Sequence, residues 1–352
     1  MEETRVFDFE DTCPRCGAQL EGLCAGGQAA CLQSLWGRND SQVSGCVGPN
    51  DRSQDEWLVD LGGTLRFDYA ARPSPQASLP RYIPVIERQR CGLQLPPWPA
   101  YALHLHSVLT TKRLDITGCA SDLRAYFRTG AGTRFVLLAY GQDTLMAELW
   151  ARRYADRLVE KIATCGFDLV VAPNFSVYAD QPRWTHLVRL RMSHVFYRML
   201  AEADVAVVPH VYFGANEDLR RWGEWLAANP AVTTVACNLQ TVRDASFFAK
   251  AVTGLSRLSD LAGRAIRLII SGPSTEDRLE HLFGALGPDV VVTNALPHQL
   301  AAHRHTLDGE GHRAFSPGPY GQLVVASIRA MADCVDRAVQ RSARGISPVA
   351  AL

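Results

Sequence analysis

The chain of 352 residues has very few lysines: only Lys112, Lys161 and Lys250 among 36 basic residues. Asp and Glu also number 36, so the formal net charge is zero. Balanced charge removes the simplest argument for nucleic-acid binding, because proteins that neutralise phosphates carry clustered excess basic charge. Residues 1–60 hold eleven acids and four bases, a net of −7, and this segment would repel phosphates.

Long hydrophobic runs are also missing from the sequence. No stretch approaches the roughly 18 apolar residues of a membrane helix, and the N-terminal segment MEETRVFDFEDTCPRC is acidic, unlike a secretory signal. The sequence therefore predicts a cytoplasmic protein that does not insert into a membrane. It also lacks a G-x-S-x-G elbow, so serine-hydrolase chemistry has no support.

Cysteine is unevenly distributed, with five of the ten cysteines between positions 13 and 46. In a cytosolic chain such a cluster favours metal over disulfides. The turn Cys13-Pro14-Arg15-Cys16-Gly17 places two thiolates close together, as in zinc knuckles. We predict a structural zinc site, with an iron–sulfur cluster as the alternative, formed by Cys13, Cys16, Cys24, Cys31 and Cys46.

The sequence divides into four parts. Residues 1–60 form a cysteine-rich module, 61–100 a proline-rich wrapping segment, 101–310 a barrel-like domain, and 311–352 a C-terminal helix and tail. Short apolar runs alternate with amphipathic segments, which is the βαβ pattern. The predicted fold is therefore α/β: a parallel (β/α)8-like, possibly broken, barrel. Its eight strands are Tyr82–Ile86, Ala102–His106, Phe135–Tyr140, Asp168–Ala172, Val205–Pro209, Thr234–Asn238, Ile266–Ser271 and Val290–Asn294.

One segment, Ala172-Pro173-Asn174-Phe175-Ser176-Val177-Tyr178-Ala179-Asp180-Gln181-Pro182, resembles a known signature. It is similar to the P-[ND]-F-S-x-Y-x-D-x-P turn of domain-of-unknown-function family four-four-one-seven, an uncharacterised family of bacteria, phages and mobile genetic elements. The resemblance covers roughly residues 100–300 and implies a strand, this turn and then a long helix. It implies no reaction and no catalytic residue.

Polar side chains follow most of the predicted strands. Ligands of parallel α/β folds bind outside the carboxyl ends of strands, so these side chains are predicted to ring one site. Amides and hydroxyls dominate, which suits a polar ligand such as a nucleobase or sugar. The set comprises Tyr140, Gln142, Asp143, Asn174, Ser176, Tyr178, Asp180, His210, Asn238, Gln240, Ser271, Ser274, Asn294 and His298.

From that set we select five candidate catalytic residues: Asn174, Tyr178, Asp180, His210 and Asn238. Asp180 or His210 is the candidate general base. The pair His104 and His106 is also typical of metal sites in barrels, although packed histidines show the same spacing. Ser271-Gly272-Pro273-Ser274-Thr275 precedes a helix, but it lacks the Walker lysine and glycine spacing, and we interpret it as an ordinary turn.

Three functions remain open from the sequence. The first is an enzyme that binds a polar small molecule or a nucleotide at the strand ends. The second is a binding or assembly module for a protein partner, with Trp222, Trp225, Phe247 and Phe248 as possible anchors. The third is nucleic-acid processing through the arginines of one long helix, which are Arg183, Arg189, Arg191 and Arg198.

Overall fold

The structure is a computed structural model that describes residues 54–67, 78–87, 95–110, 113–177, 183–308 and 311–344. Within these ranges, no helix is long and apolar enough to cross a membrane. The eight predicted strands all occur, and all but the sixth have shifted bounds: β1 Tyr82–Pro84, β2 Ala100–His104, β3 Arg134–Leu138, β4 Leu169–Val171, β5 Val207–Val208, β6 Thr234–Asn238, β7 Arg267–Ser271 and β8 Val291–Asn294.

Ten helices accompany the strands in the described ranges. They are α1 Gln54–Asp60, α2 Ala120–Phe127, α3 Asp143–Arg152, α4 Leu158–Thr164, α5 Arg183–Glu202, α6 Asn216–Ala228, α7 Ala245–Ala262, α8 Glu276–Leu286, α9 Leu296–Ala302 and α10 Tyr320–Ala343. A 3-10 turn, Leu105–Ser107, follows β2 directly. A short antiparallel hairpin, β9 His305–Leu307 and β10 Arg313–Phe315, precedes α10.

The eight strands form two parallel sheets of four, in the orders β1-β8-β7-β6 and β2-β3-β4-β5. The predicted parallel α/β architecture is therefore confirmed. Single parallel bridges join the sheets at both ends, Val85 with Ala102 and His210 with Ala236. At the first junction the Ile86 amide donates to the Ala102 carbonyl at 2.8 Å, and at the second the Val211 amide donates to the Ala236 carbonyl at 2.7 Å.

Strand residues alternate between two hydrophobic clusters, as the two-residue period of a strand requires. Leu103, Leu137 and Ile270 belong to the larger, outer cluster together with residues of the helices. The neighbouring positions form an inner cluster to which all eight strands contribute. It contains Leu79, Ile83, Val85, Ala100, Ala102, Val136, Leu138, Tyr140, Leu169, Val171, Val208, Ala236, Ile269, Val291 and Ala295.

The apolar stripe of Leu145, Leu149, Leu158 and Ile162 predicts one helix over Leu145–Ala163, but the segment forms two helices, α3 and α4. Arg157, just before α4, has a left-handed φ of 51°, which ends helical geometry there. Arg153 is 3% exposed and forms an ion pair with Asp60, the last residue of α1. A tertiary contact of this kind leaves no trace in local periodicity.

Candidate functional site

The inward-facing series of the strands turns polar at the carboxyl ends. His104 follows Ala100 and Ala102 at two-residue spacing, and Tyr140 follows Val136 and Leu138. The last inward positions of β6, β7 and β8 are occupied by Asn238, Ser271 and Thr293. A polar layer therefore covers the carboxyl end of the inner cluster; Tyr140, Asn238 and Ser271 belong to the set predicted from the sequence, and His104 and Thr293 do not.

A hydrogen-bonded chain crosses this layer. The Tyr140 hydroxyl hydrogen-bonds Ser271 Oγ, and Ser271 Oγ lies 2.7 Å from Thr293 Oγ1. All three side chains are buried. Burial raises the pKa of Tyr140 far above neutrality, partly opposed by its hydrogen bond to Ser271, so its phenol is protonated at neutral pH. The chain joins strands of both sheets and fixes the position of the Tyr140 ring.

Two histidines flank that ring. The centroid of the Tyr140 ring lies 6.1 Å from the His104 ring and 5.4 Å from the His210 ring. Burial, and then the charge of His106, lowers the pKa of His104 to about 4, and burial lowers the pKa of His210 to about 3. Both imidazoles are neutral at pH 7, so each has one donor and one acceptor nitrogen.

His210 is 2% exposed, and neither of its ring nitrogens has a hydrogen-bond partner in another described residue. Such a buried polar group is unusual and points to a functional or solvent-filled environment. His210 lies at the bridge to Ala236, and its ring contacts the Tyr140 ring. His210 is not among the residues that line the cavities described next.

A cavity of about 970 Å³, here called the main chamber, lies over the carboxyl ends of β2 to β6. Its wall combines amides, hydroxyls, imidazoles and a guanidinium with a few apolar side chains. The lining residues are His104, His106, Tyr140, Gly141, Gln142, Leu145, Asn174, Ser176, Val177, Tyr212, Asn238, Gln240, Thr241 and Arg243.

A smaller cavity of about 260 Å³, the second chamber, lies over the carboxyl ends of β1, β7 and β8. His104, Gln240 and Arg243 line both chambers, which therefore adjoin. The other residues of the second chamber are Val85, Ser271, Gly272, Ser274, Thr293, Asn294, Ala295, Leu296 and Gln299. Neither lining contains an Asp or Glu among the described residues.

Asn174 and Asn238, two of the five candidate catalytic residues, line the main chamber. Asn174 Oδ1 is buried and has no hydrogen-bond partner in the described part of the chain. Asn238 Oδ1 accepts from the Gln240 amide at 3.0 Å and so also shapes its loop. Tyr178 and Asp180 lie outside the described residues.

Three other polar residues of the predicted ring maintain the fold. Asn294 donates from Nδ2 to the Pro273 carbonyl at 2.9 Å, which ties the loop after β7 to the end of β8. Asp143 accepts from Ser176 Oγ at 2.6 Å. His298 hydrogen-bonds the Tyr320 hydroxyl of α10 through Nδ1.

The histidine pair lies at the main chamber, with ring centroids 5.5 Å apart. His106 is in the 3-10 turn and not on β2, so strand alternation does not position it. Among the residues with described positions, no group of three or more His, Cys, Asp or Glu side chains is arranged to hold a metal ion. Cys13, Cys16, Cys24, Cys31 and Cys46 lie outside those residues.

The arginines proposed for nucleic-acid contact do not form an exposed basic surface. Arg183, Arg189 and Arg191 are buried, and Arg183 forms an ion pair with Asp218. Arg198 lies 3.6 Å from Glu202 on the same helix. Of the proposed aromatic anchors, Trp222, Trp225 and Phe248 are buried in helix packing, and only Phe247 is exposed.

Sequence reasoning missed Arg243 and Tyr212. Tyr212 lies two residues after His210, and its hydroxyl donates to the Val177 carbonyl at 3.1 Å. Arg243 is exposed in the loop after β6 and forms no ion pair with another described residue. The only available signal was their position after predicted strands, because an arginine in an arginine-rich chain does not stand out. The chain matches no protein-family model and no curated protein.

Proposed function

We propose that this protein is an enzyme that binds a polar small molecule, such as a nucleotide, in the main chamber. The observation that carries the proposal is the composition of that chamber: about 970 Å³ of space lined mainly by amides, hydroxyls and imidazoles. Pockets for small molecules commonly have volumes of about 300–1,000 Å³ and a few convergent polar groups. The ligand's polar groups would form hydrogen bonds with the side-chain amides of Asn174, Asn238 and Gln142.

The proposal includes a finer description of the fold. The eight strands would close into one (β/α)8-like barrel, with the two bridged junctions as its weakest seams. Contributions to the inner cluster from every strand support this closure. A barrel concentrates ligand contacts at the carboxyl ends of its strands, where both chambers lie.

We assign hydrogen bonding to the ligand to His104 and support of Tyr140 to His210. His104 lines both chambers, and its pKa of about 4 keeps it neutral at pH 7, with one donor and one acceptor nitrogen. His210 packs edge-on against Tyr140, away from the chambers. Tyr178 and Asp180 stay predicted catalytic residues from the sequence.

A binding screen tests the proposal. The purified protein is titrated calorimetrically with nucleosides, nucleotides and monosaccharides, and Asn174→Ala and Gln142→Ala are compared with Gln340→Ala, an exposed amide on α10. We expect Asn174→Ala and Gln142→Ala to weaken binding about tenfold or more, because a buried partner group is left unpaired. If nothing in the panel binds, or if the three variants behave alike, the main chamber is not the binding site.

We also propose that the N-terminal cysteines hold a structural zinc ion, with an iron–sulfur cluster as the alternative. The support is the C-P-x-C-G turn and the clustering of thiols. Elemental analysis should give one zinc per chain in a colourless protein, and Cys13→Ser should release it. A brown protein with an absorption band at about 400 nm would instead identify the iron–sulfur alternative. A metal-free protein would contradict both.

A further inference from the structure

The second chamber is built from three loops that meet at the carboxyl ends of β6, β7 and β8. Gly272, with φ of +115°, approaches the backbone of Gln240 so closely that a Cβ atom there would lie 2.5 Å from Gln240 Cα. The Asn294 side chain holds the same loop through the Pro273 carbonyl. These contacts fix the lining groups Gln240, Ser271 and Ser274 relative to one another.

The described residues that line this chamber carry charge of one sign. Arg243 contributes a positive charge and forms no ion pair with the described part of the chain. Two acids close in sequence to the lining residues are engaged elsewhere: Asp244 accepts from Ser246 and Phe247, and Glu276 pairs with Arg337 and Arg341. The other lining residues include hydroxyls and amides, which can donate hydrogen bonds to an oxyanion, together with the neutral His104 and the apolar side chains of Val85, Ala295 and Leu296.

The second chamber also adjoins the main chamber through His104, Gln240 and Arg243. Because its pKa is about 4, His104 carries no charge at pH 7, so Arg243 is the cation at this junction. A ligand with a neutral polar body in the main chamber would therefore direct an attached anionic group past Arg243.

We infer that the second chamber is an oxyanion subsite that takes the phosphate group of a nucleotide-like ligand, with Arg243 as its principal partner and Ser274 as a hydrogen-bond donor. This inference rests on the proposed function, since it names the ligand class of the same site. It also gives the segment Ser271–Thr275 a role that its departure from the Walker pattern did not suggest.

The first experiment compares each nucleoside with its 5′-monophosphate by calorimetry. The wild-type protein should bind the monophosphate at least about tenfold more tightly, and Arg243→Gln should remove most of that preference, because the charge-assisted bond to the phosphate is lost. Arg220→Gln, at an exposed position on α6, is the matched control and should retain the preference. An unchanged preference in Arg243→Gln would overturn the inference.

The second experiment uses inorganic phosphate alone and does not depend on the main chamber. Phosphate should bind the wild-type protein, Arg243→Gln and Ser274→Ala should each weaken it, and malonate should bind less well. Phosphate binding without any nucleoside binding supports the subsite and contradicts the proposed function. Nucleoside binding without a phosphate effect supports the proposed function and contradicts the subsite, as would tighter binding of malonate than of phosphate.

Discussion

The protonation of the buried residues His210 and His104 links the stability of the folded protein to pH. The folded protein lowers their pKa values to about 3 and about 4, from an ordinary value near 6.5. Between these values the unfolded chain binds more protons than the folded chain. Stability is therefore complete above about pH 6.5 and decreases as the pH falls toward the folded pKa values.

Replacing His210 should reduce this pH dependence. The wild-type free energy of unfolding should fall between pH 7 and pH 4.5, with each such histidine contributing at most about 1.4 kcal/mol per pH unit. His210→Gln does not titrate, so its curve should be shallower in urea unfolding. His312→Gln, whose parent side chain is 74% exposed, is the control. Parallel curves for wild type and His210→Gln would show that His210 is protonated equally in both states.

The site residues differed in how predictable they were. Asn238 is the last residue of β6 and Asn174 lies three residues after β4, so the rule for parallel sheets predicted both near the cavity. Arg243 lies five positions beyond Asn238, where loop geometry decides what a side chain faces. Asn294 met the same strand-end rule as Asn238, yet its amide holds the Pro273 carbonyl. Position along a strand therefore predicts which site a residue lies near, but it does not predict which groups its side chain hydrogen-bonds.

Among the elements, α6 and α7 pack through a glycine of α6. A Cβ atom at Gly223 would lie 2.3 Å from Cβ of Leu261 on α7. Alanine is normally the better residue within a helix by about 0.5–1 kcal/mol. Here the space is already filled, and interior packing leaves little room for even one added carbon.

Gly223→Ala should therefore destabilise the protein in spite of the better helix propensity. We expect a net loss of about 1–3 kcal/mol from the displacement of α6 and α7, measured by urea unfolding. Gly284→Ala in α8 is the matched control, because its added Cβ would meet nothing within 4 Å. Equal stabilisation of both variants would mean that the two helices are not in close contact.

Element types were more predictable than element lengths. Strand β6 has the predicted bounds Thr234–Asn238. β4 and β5 are only three and two residues long, because pairing with a neighbouring strand ends sooner than the apolar run does. The short helices α2 and α9 were missed, since eight or fewer residues give too few turns for a clear period.

For the whole molecule, repeated strand–helix alternation predicted the parallel architecture but not how the early segment joins it. Residues 54–67 read as part of a coreless or wrapping region, yet Leu61 and Leu65 are fully buried in the outer cluster. The Arg191 guanidinium of α5 donates from Nε to the Leu61 carbonyl at 3.3 Å. Such contacts join residues 130 positions apart and have no local signature in the sequence.

Asp60 is the electrostatic link between this early segment and the rest of the fold. Its carboxylate pairs with Arg153 and accepts from Trp150 Nε1 at 2.9 Å. Arg153 is 3% exposed, and its guanidinium stacks 3.7 Å from the Trp150 ring centroid. If Asp60 loses its charge, Arg153 is left with an uncompensated charge in a buried position.

Asp60→Asn should consequently cost about 2–4 kcal/mol of unfolding free energy, slightly below the range of about 3–5 kcal/mol for a fully buried pair because the Asp60 side chain is 20% exposed. Asp336→Asn breaks the pair with Arg81, whose side chains are 59% and 40% exposed, and should cost less than about 1 kcal/mol. Urea unfolding of both variants measures the difference. Hydrogen exchange should also accelerate across residues 54–67 in Asp60→Asn alone. Similar small losses in the two variants would mean that hydrophobic burial of Leu61 and Leu65, and not the ion pair, holds the early segment on α3 and α5.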